Sequence, residues 1–173
     1  MPLSTAHARL TLLVAGALAA TVMPAVAQQA VILVRHAEQT VVGGMMDGDP
    51  PLNEDGNRRA KSLATVLKDT GATAVYASQY ARSQETAAPI AAALGSPVKV
   101  VAKDDLAALS EQLRSQHAGE TVLVVGHSDT IPALLKLWGH PQPTEIGRTE
   151  FNSVWLVVPR QAGPPVVSRI RLP

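Results

Sequence analysis

The chain has 173 residues, no cysteine, and 15 basic against 14 acidic side chains, which gives a formal net charge of +1. A nearly neutral chain offers no electrostatic footprint for nucleic acid or for an anionic membrane surface. Without cysteine no disulfide can form, so the fold must be stabilised by packing alone. Any attraction for an anionic substrate must therefore be local.

The first 27 residues have the pattern of a secretory signal peptide. An apolar stretch at 10–22 follows Arg9, and the small-x-small sequence at 25–27 is the pattern that signal peptidases cleave. The stretch is shorter than the ~20 residues that a membrane span needs. We therefore expect removal of residues 1–27, a mature single domain at 28–173, no membrane span after cleavage, and export to a bacterial periplasm or the extracellular space.

Strand-like apolar runs alternate with segments of helical period along the rest of the chain. The runs are Val31–Val34, Ala72–Ala77, Val98–Val101, Val122–Val125, Ser153–Val158 and Val166–Leu172. Helical segments follow the first four runs and end near Gly71, Gly95, Gly119 and Gly139. This order predicts an α/β fold, a three-layer sandwich with a mainly parallel sheet, helices on both faces and an antiparallel edge hairpin.

Two of the predicted strands lead directly into a histidine. The run Val31–Val34 continues into Arg35 and His36, and the run Val122–Val125 continues through one glycine into His127. Open α/β sheets bind ligands at the carboxyl ends of their parallel strands. We therefore expect both imidazoles to lie in one pocket.

The residues around these histidines suit a phosphate group. Arg35 offers a planar fork that matches two phosphate oxygens, and a neutral His36 can attack phosphorus. Arg82 falls in the first turn of the second helix, where a cation is unfavourable unless an anion lies opposite. Free N–H groups near 128–130, at the start of the fourth helix, would favour an oxyanion beside His127.

Three segments, taken in order, resemble the signatures of the histidine phosphatase superfamily, also called the phosphoglycerate mutase-like family. They are Val34-Arg35-His36-Ala37-Glu38, Ser78…Arg82…Thr86-Ala87, and Val125-Gly126-His127-Ser128-Asp129-Thr130. The segment Leu52-Asn53-Glu54-Asp55-Gly56 is similar to that family's first helix entry. The order and spacing fit nearly all of the chain after the leader.

The resemblance implies a metal-independent phosphatase, a phosphoric monoester hydrolase that acts through a covalent phosphohistidine. It implies that His36 is the nucleophile, that Arg35 and Arg82 clamp the phosphoryl group, and that His127 completes the phosphate pocket. It implies no metal ion and no organic cofactor. The substrate would be a phosphorylated small molecule or a phosphate on an envelope component or a protein. Ala37 stands where the family usually has glycine.

The resemblance does not assign the acid that protonates the leaving group. Glu38 and Asp129 are candidates because each lies two residues after one of the two histidines in sequence. The other carboxylates considered are Asp47, Glu85, Asp104, Asp105, Glu111 and Glu120. Without a well-placed acid, aryl phosphates, acyl phosphates and phosphohistidine should react best, because their leaving groups need least protonation.

Two alternatives remain open at the level of sequence. The first is a phosphate-binding module that has the same pocket but no turnover. The second is a metal-dependent hydrolase that uses His36, His127 and Asp129 as ligands. No close His-x-x-x-His spacing supports the second alternative.

Overall fold

The structure, a computed structural model, describes residues 30–41, 48–160 and 162–173. The predicted signal peptide and Asp47, one of the carboxylates considered as an acid, lie outside the described residues. No helix in the described part of the chain is long and apolar enough to cross a membrane.

Ten elements alternate as the sequence pattern predicts. In chain order they are β1 (Ala30–Arg35), α1 (Glu54–Leu67), β2 (Ala72–Ser78), α2 (Ala81–Leu94), β3 (Val98–Val101), α3 (Leu106–Gln116), β4 (Thr121–Gly126), α4 (Thr130–Leu137), β5 (Ser153–Val158) and β6 (Val166–Arg171). Six of the twelve strand ends coincide with the predicted runs, and the other six differ by one residue, because apolar patterns mark strand centres better than strand ends.

The six strands form one sheet in the order β3-β2-β4-β1-β5-β6. The pairs β2–β3, β2–β4 and β1–β4 are parallel, whereas β1–β5 and β5–β6 are antiparallel. The prediction of a mainly parallel sheet with an antiparallel hairpin at its edge is confirmed. The parallel strands all end at one rim of the sheet, and β5 begins there.

Helices cover both faces of the sheet because alternate strand residues point to opposite sides. On one face, strand residues such as Ile32 and Val125 pack against Leu63 of α1 and Ile90 of α2. On the other face, strand residues pack against α3 and α4, and the cluster there includes Leu33, Tyr76, Val124, Leu113, Ile131 and Leu134. The predicted three-layer arrangement is therefore confirmed.

The helix ends follow local capping chemistry. The side chain of Asn53 accepts a hydrogen bond from the Gly56 N–H and so caps α1, and Asp129 caps α4 through the Thr130 N–H. Helix α2 ends at Gly95, whose φ of 66° is a left-handed conformation that glycine adopts at low cost. These caps hold the starts of α1 and α4 against the rim of the sheet.

Gly56 brings the first turn of α1 into close contact with the segment that follows β1. A Cβ atom at this position would lie 2.0 Å from the carbonyl oxygen of Glu38. No side chain fits there unless the backbone moves. Glycine is thus required by space, and the contact fixes the position of Glu38, two residues after His36.

Replacing Gly56 by alanine is expected to lower the free energy of unfolding by about 1–3 kcal/mol, the range for overpacking a tight site. Chemical denaturation of Gly56→Ala and wild type would measure the difference. Lys61→Ala, on the exposed side of the same helix, should change stability by less than about 0.5 kcal/mol. Equal stability of Gly56→Ala and wild type would contradict this account.

Candidate active site

The register between β1 and β4 brings the two predicted histidines together. Arg35 pairs with Gly126, and the backbone N–H of His36 donates to the Gly126 carbonyl at 2.9 Å. The imidazole centroids of His36 and His127 are therefore only 5.1 Å apart. Both side chains are buried, at 5% and 4% exposure.

The hydrogen bond of His36 determines which ring nitrogen is free. Nδ1 lies 2.8 Å from the carbonyl oxygen of Ala37, and a carbonyl only accepts, so Nδ1 carries the proton. The lone pair of Nε2 is then available. Burial and, to a smaller extent, the charges of Arg35 and Arg82 together lower the pKa of His36 to about 4, although the hydrogen bond to Ala37 acts in the opposite direction. At neutral pH this side chain is therefore an uncharged imidazole, the form in which histidine is a nucleophile.

The hydroxyl of Thr86 connects the His36 segment to helix α2. Its Oγ1 accepts from the Ala37 N–H at 2.9 Å and donates to the Arg82 carbonyl at 2.7 Å. Thr86 and Ala37 are both fully buried. This contact sets the position of the nucleophile relative to the turn that carries Arg82.

Arg82 lies in the first turn of α2, as predicted, and is held on two sides. Its guanidinium stacks over the Tyr80 ring with the Cζ atom 4.4 Å from the ring centroid. Its Nη1 lies 3.6 Å from the Asp49 carboxylate. Glu85, one turn later in the same helix, does not pair with it and instead accepts a hydrogen bond from the Leu52 N–H at 2.7 Å.

Arg35 is anchored by the chain segment before β5. Its Nη1 donates to the carbonyl oxygens of Gly147, Arg148 and Glu150 at 2.8, 3.1 and 2.9 Å. The guanidinium also stacks on Phe151, with the Cζ atom 4.0 Å from the ring centroid. These contacts occupy one of the three guanidinium nitrogens and leave the other two for a ligand.

The two arginines share an unusual feature. The Nε atoms of Arg35 and Arg82 are buried, and neither has a hydrogen-bond partner among the described residues. A buried N–H without a partner is costly and rare in native proteins. An oxyanion between the two guanidinium groups would supply the missing acceptors.

His127 is held by serine hydroxyls. Its Nε2 lies 2.7 Å from the Ser78 Oγ and 3.4 Å from the Ser83 Oγ, and both serines are buried. Its backbone N–H donates to the Thr130 hydroxyl at 2.8 Å. Burial lowers the pKa of His127 to about 3, with smaller contributions from His36 and Arg82. The second imidazole is therefore also neutral at pH 7.

The two candidate acids, Glu38 and Asp129, are both committed to cations. Arg59 donates to both Glu38 oxygens at 2.6–2.9 Å, and Lys103 donates to Asp129 at 2.6 Å. Burial by itself would raise the pKa of each carboxyl, but these hydrogen bonds together with the nearby charges bring both below their ordinary values. A lowered pKa disfavours proton donation at neutral pH.

Three of the other carboxylates considered have partners of their own. Asp105 caps α3 through the Ala108 N–H, Glu111 pairs with Arg114, and Glu120 pairs with His117. Asp104 pairs with Lys103 at 3.6 Å, and Glu85 bonds to the Leu52 N–H, so every described carboxylate considered as an acid already has a partner.

The sequence reasoning missed several residues that complete the site. Phe151 precedes β5, which runs antiparallel to β1, so its position at the rim follows only from the strand order. Lys103 lies two residues after β3 ends at the same rim, a signal that strand spacing could have given. Arg59 is one turn into α1, and nothing in the sequence indicates its pairing with Glu38.

Two buried neutral histidines make stability depend on pH. The unfolded chain takes up their protons near pH 6.5, whereas the folded pKa values are about 4 and 3. Between these values the unfolded state binds more protons, so the free energy of unfolding should fall as pH drops below 6.5. Each pKa unit contributes about 1.4 kcal/mol, and the total loss by pH 4 should be roughly 6 kcal/mol for the two histidines together.

Chemical denaturation between pH 4 and 8 would measure this dependence. In His36→Gln the slope between pH 6.5 and 4 should become shallower. The control Lys61→Gln, on the exposed side of α1, should keep the wild-type slope. A stability that is flat from pH 7 to 4.5 would contradict two buried neutral imidazoles.

In the described part of the chain, no group of three or more His, Asp or Glu side chains could hold a metal ion.

The family model for the histidine phosphatase superfamily (branch 1) matches residues 31–110, which include His36 and Arg82. No curated protein sequence matches the chain significantly.

Solved structures resemble the chain over most of its length. The protein histidine phosphatase SixA complexed with tungstate is 18% identical, with a TM-score of 0.67 over 82% of this chain and 96% of that one. A mycobacterial glucosyl-3-phosphoglycerate phosphatase is 15% identical, with a TM-score of 0.67 over 84% and 100%. At these identities the likeness establishes the fold.

Proposed function

Because this chain belongs to the histidine phosphatase superfamily, we propose that it hydrolyses phosphomonoesters, or phosphohistidine and acyl phosphates, through a covalent phosphohistidine on His36, without a metal ion. The family match supports a phosphatase. One observation carries the finer proposal: a neutral imidazole with a free Nε2 lies beside two buried guanidinium groups whose Nε–H bonds have no acceptor among the described residues.

The first step is attack on phosphorus. The lone pair of His36 Nε2 forms the N–P bond while the bond from phosphorus to the leaving oxygen or nitrogen breaks, and the leaving group departs with that electron pair. The Nδ1–H bond to the Ala37 carbonyl stabilises the positive charge that develops on the ring. Because Ala37 is itself held by Thr86, the ring is oriented before the substrate arrives.

Arg35, Arg82 and His127 would stabilise the charge on the phosphoryl oxygens. Each arginine offers its Nε–H and one further donor, and such charge-assisted hydrogen bonds to phosphate are strong in a site with little water. His127 donates through Nδ1–H when its Nε2 accepts from the Ser78 hydroxyl, a geometry that the 2.7 Å distance allows. Water then attacks the phosphohistidine, which releases inorganic phosphate and restores the free lone pair of His36.

Because the carboxylates near His36 and His127 are held in ion pairs, we expect the protein to act on substrates whose leaving groups need little protonation. Glu38 and Asp129 are both paired with cations and have lowered pKa values. Aryl phosphates, acyl phosphates and phosphohistidine fit this requirement better than simple alkyl phosphates. The structural likeness to a protein histidine phosphatase agrees with phosphohistidine as one such substrate.

The place of action is part of the proposal. The pattern of residues 1–27 supports export, and a substrate on an envelope component or an exported protein would then be reached after cleavage. Fusion of residues 1–27 to a reporter that is active only outside the cytoplasm would test export separately from activity.

A series of aryl phosphates with leaving groups of increasing pKa tests the chemistry. We expect turnover of p-nitrophenyl phosphate and a kcat/KM that falls by roughly tenfold or more per two pKa units of the leaving group, because no acid assists its departure. Phosphorylated histidine should be hydrolysed and phosphoserine hardly at all. A rate independent of leaving-group pKa would contradict an acid-free first step.

The ion pairs of Glu38 and Asp129 also favour a second candidate function, a phosphate-binding module without turnover, because neither carboxyl group is free to act as the acid. It predicts binding of phosphate or vanadate with no release of p-nitrophenol at any pH between 4 and 8. The same series therefore distinguishes the two candidates.

A further inference from the structure

A cleft of about 430 Å³ opens beside Arg35 and shares its wall with the phosphate site. Arg35 and Phe151 line it, and the Phe151 ring lies 6.0 Å from the His36 ring. The volume is that of a pocket for a small molecule. A substrate whose phosphoryl group is bound by Arg35 therefore has its leaving group within reach of this cleft.

The cleft carries excess positive charge. Glu38 lines it, but this carboxylate is neutralised by Arg59. Arg35 and Arg148 also line it, and Arg148 has no ion pair among residues 30–41, 48–160 and 162–173. The balance therefore favours an anion in addition to the phosphoryl group.

The backbone of Arg148 is fixed although its side chain is exposed. Its carbonyl accepts from Arg35 Nη1, as do the carbonyls of Gly147 and Glu150 on either side. The backbone of Arg148 is thereby held by the guanidinium group of Arg35, which is the group that would bind the phosphate. A ligand bridging both arginines would meet a preorganised wall, which lowers the entropic cost of binding.

Hydroxyl groups add neutral donors to this charge. Ser128 and Thr149 line the cleft, and neither side chain has a hydrogen-bond partner in the described part of the chain. The other polar side chains there are already engaged, since Asn53 bonds to Gly56 and Gln39. The unengaged hydroxyls therefore lie in the loops after β4 and before β5, and Thr149 is the neighbour of Arg148 in the second of these loops.

We propose that the cleft is a leaving-group subsite that selects substrates whose leaving group bears a second anionic group, a carboxylate or a second phosphate, bound by Arg148. This inference rests on the phosphatase function proposed above. Among the substrates proposed above, it favours compact phosphate compounds that carry a second anionic group.

Binding of phosphonates, which cannot be hydrolysed, tests the subsite without requiring turnover. Dissociation constants for methylphosphonate, phosphonoacetate and methylenediphosphonate are measured by calorimetry with wild type, Arg148→Gln and Arg160→Gln. Arg160 is an equally exposed arginine at the opposite end of β5, away from the rim, and serves as the matched control.

We expect wild type to prefer at least one of the two compounds with a second anion over methylphosphonate by about tenfold, a typical effect of a charge-assisted hydrogen bond. Arg148→Gln should reduce that preference to about twofold or less, and Arg160→Gln should retain it. Whichever of phosphonoacetate and methylenediphosphonate binds more tightly relative to methylphosphonate identifies the second anion as a carboxylate or a phosphate.

Two results would overturn the subsite: no preference in wild type, or a preference that survives Arg148→Gln. If neither methylphosphonate nor inorganic phosphate binds, the proposed phosphate site is rejected, and the proposed subsite is rejected with it. Turnover of p-nitrophenyl phosphate without any preference among the phosphonates would reject the subsite alone and leave the phosphatase function standing.

Discussion

Replacing His36 by alanine is expected to lower kcat for p-nitrophenyl phosphate by at least ~1000-fold, in line with the loss of a covalent nucleophile. The reason is geometric: Nε2 of this ring has a free lone pair in a buried pocket, and the pKa of about 4 keeps it uncharged at neutral pH. Among the described imidazoles, only His127 also lies beside Arg82 and His36, and its Nε2 is already engaged by Ser78.

The measurement combines steady-state rates with trapping of the intermediate. Wild type mixed with labelled substrate and quenched in alkali should retain label on the protein, because phosphohistidine survives alkali, and His36→Ala should retain none. His140→Ala, a histidine at the end of α4, should keep both activity and label. Undiminished activity in His36→Ala, with a normal unfolding transition, would remove the nucleophile from the mechanism.

Replacing Arg82 by alanine should lower kcat/KM by about 100- to 1000-fold, the range for loss of a donor that stabilises developing charge. Arg82→Lys should recover only part of this loss, because a lysine is a point charge without the planar fork. Arg171→Ala, an exposed arginine on the edge strand β6, is the control and should leave the rate at the wild-type level.

Stability should respond to the same substitution differently from activity. In the absence of phosphate, Arg82 places a cation in the first turn of α2 and buries an Nε–H that has no acceptor among the described residues. Removing the side chain relieves both costs but loses its contacts with Tyr80 and Asp49, so the free energy of unfolding of Arg82→Ala without phosphate should stay within about 1 kcal/mol of wild type. A large loss of stability would mean that the side chain serves the fold instead of a ligand.

The fold was predictable because its signals are local and repeated. Continuous apolar runs marked the strands, and glycines marked the helix ends, as Gly95 shows with its left-handed φ. The placement of His36 and Arg82 also followed, since each comes directly after a parallel strand or in the first turn of the next helix. The pairing of β1 with β4 then brings His127 to the same rim.

The electrostatic state of the site was not predictable in this way. The position of Glu38 in the sequence made it a reasonable candidate for the acid. Its lowered pKa, however, depends on the ion pair with Arg59. Helix α1 places Arg59 beside Glu38 because Gly56 packs against the Glu38 backbone. Asp129 depends in the same way on Lys103, which comes from the loop after β3. Such pairings are tertiary, and no spacing rule along the chain encodes them.

The parallel pairing of β1 with β4 has a consequence for how the protein acquires its site during folding. About 90 residues separate His36 from His127, and the wall behind Arg35 comes from still later in the chain, at Gly147 to Glu150. Closing a loop of that length is slow, and every group in the site depends on it. A nascent chain that ends before β4 therefore lacks His127 and the wall behind Arg35, two parts of the proposed anion site. Phosphate binding would then report on completion of the whole domain, and an anion in the medium would favour the fully closed chain over every partly folded form.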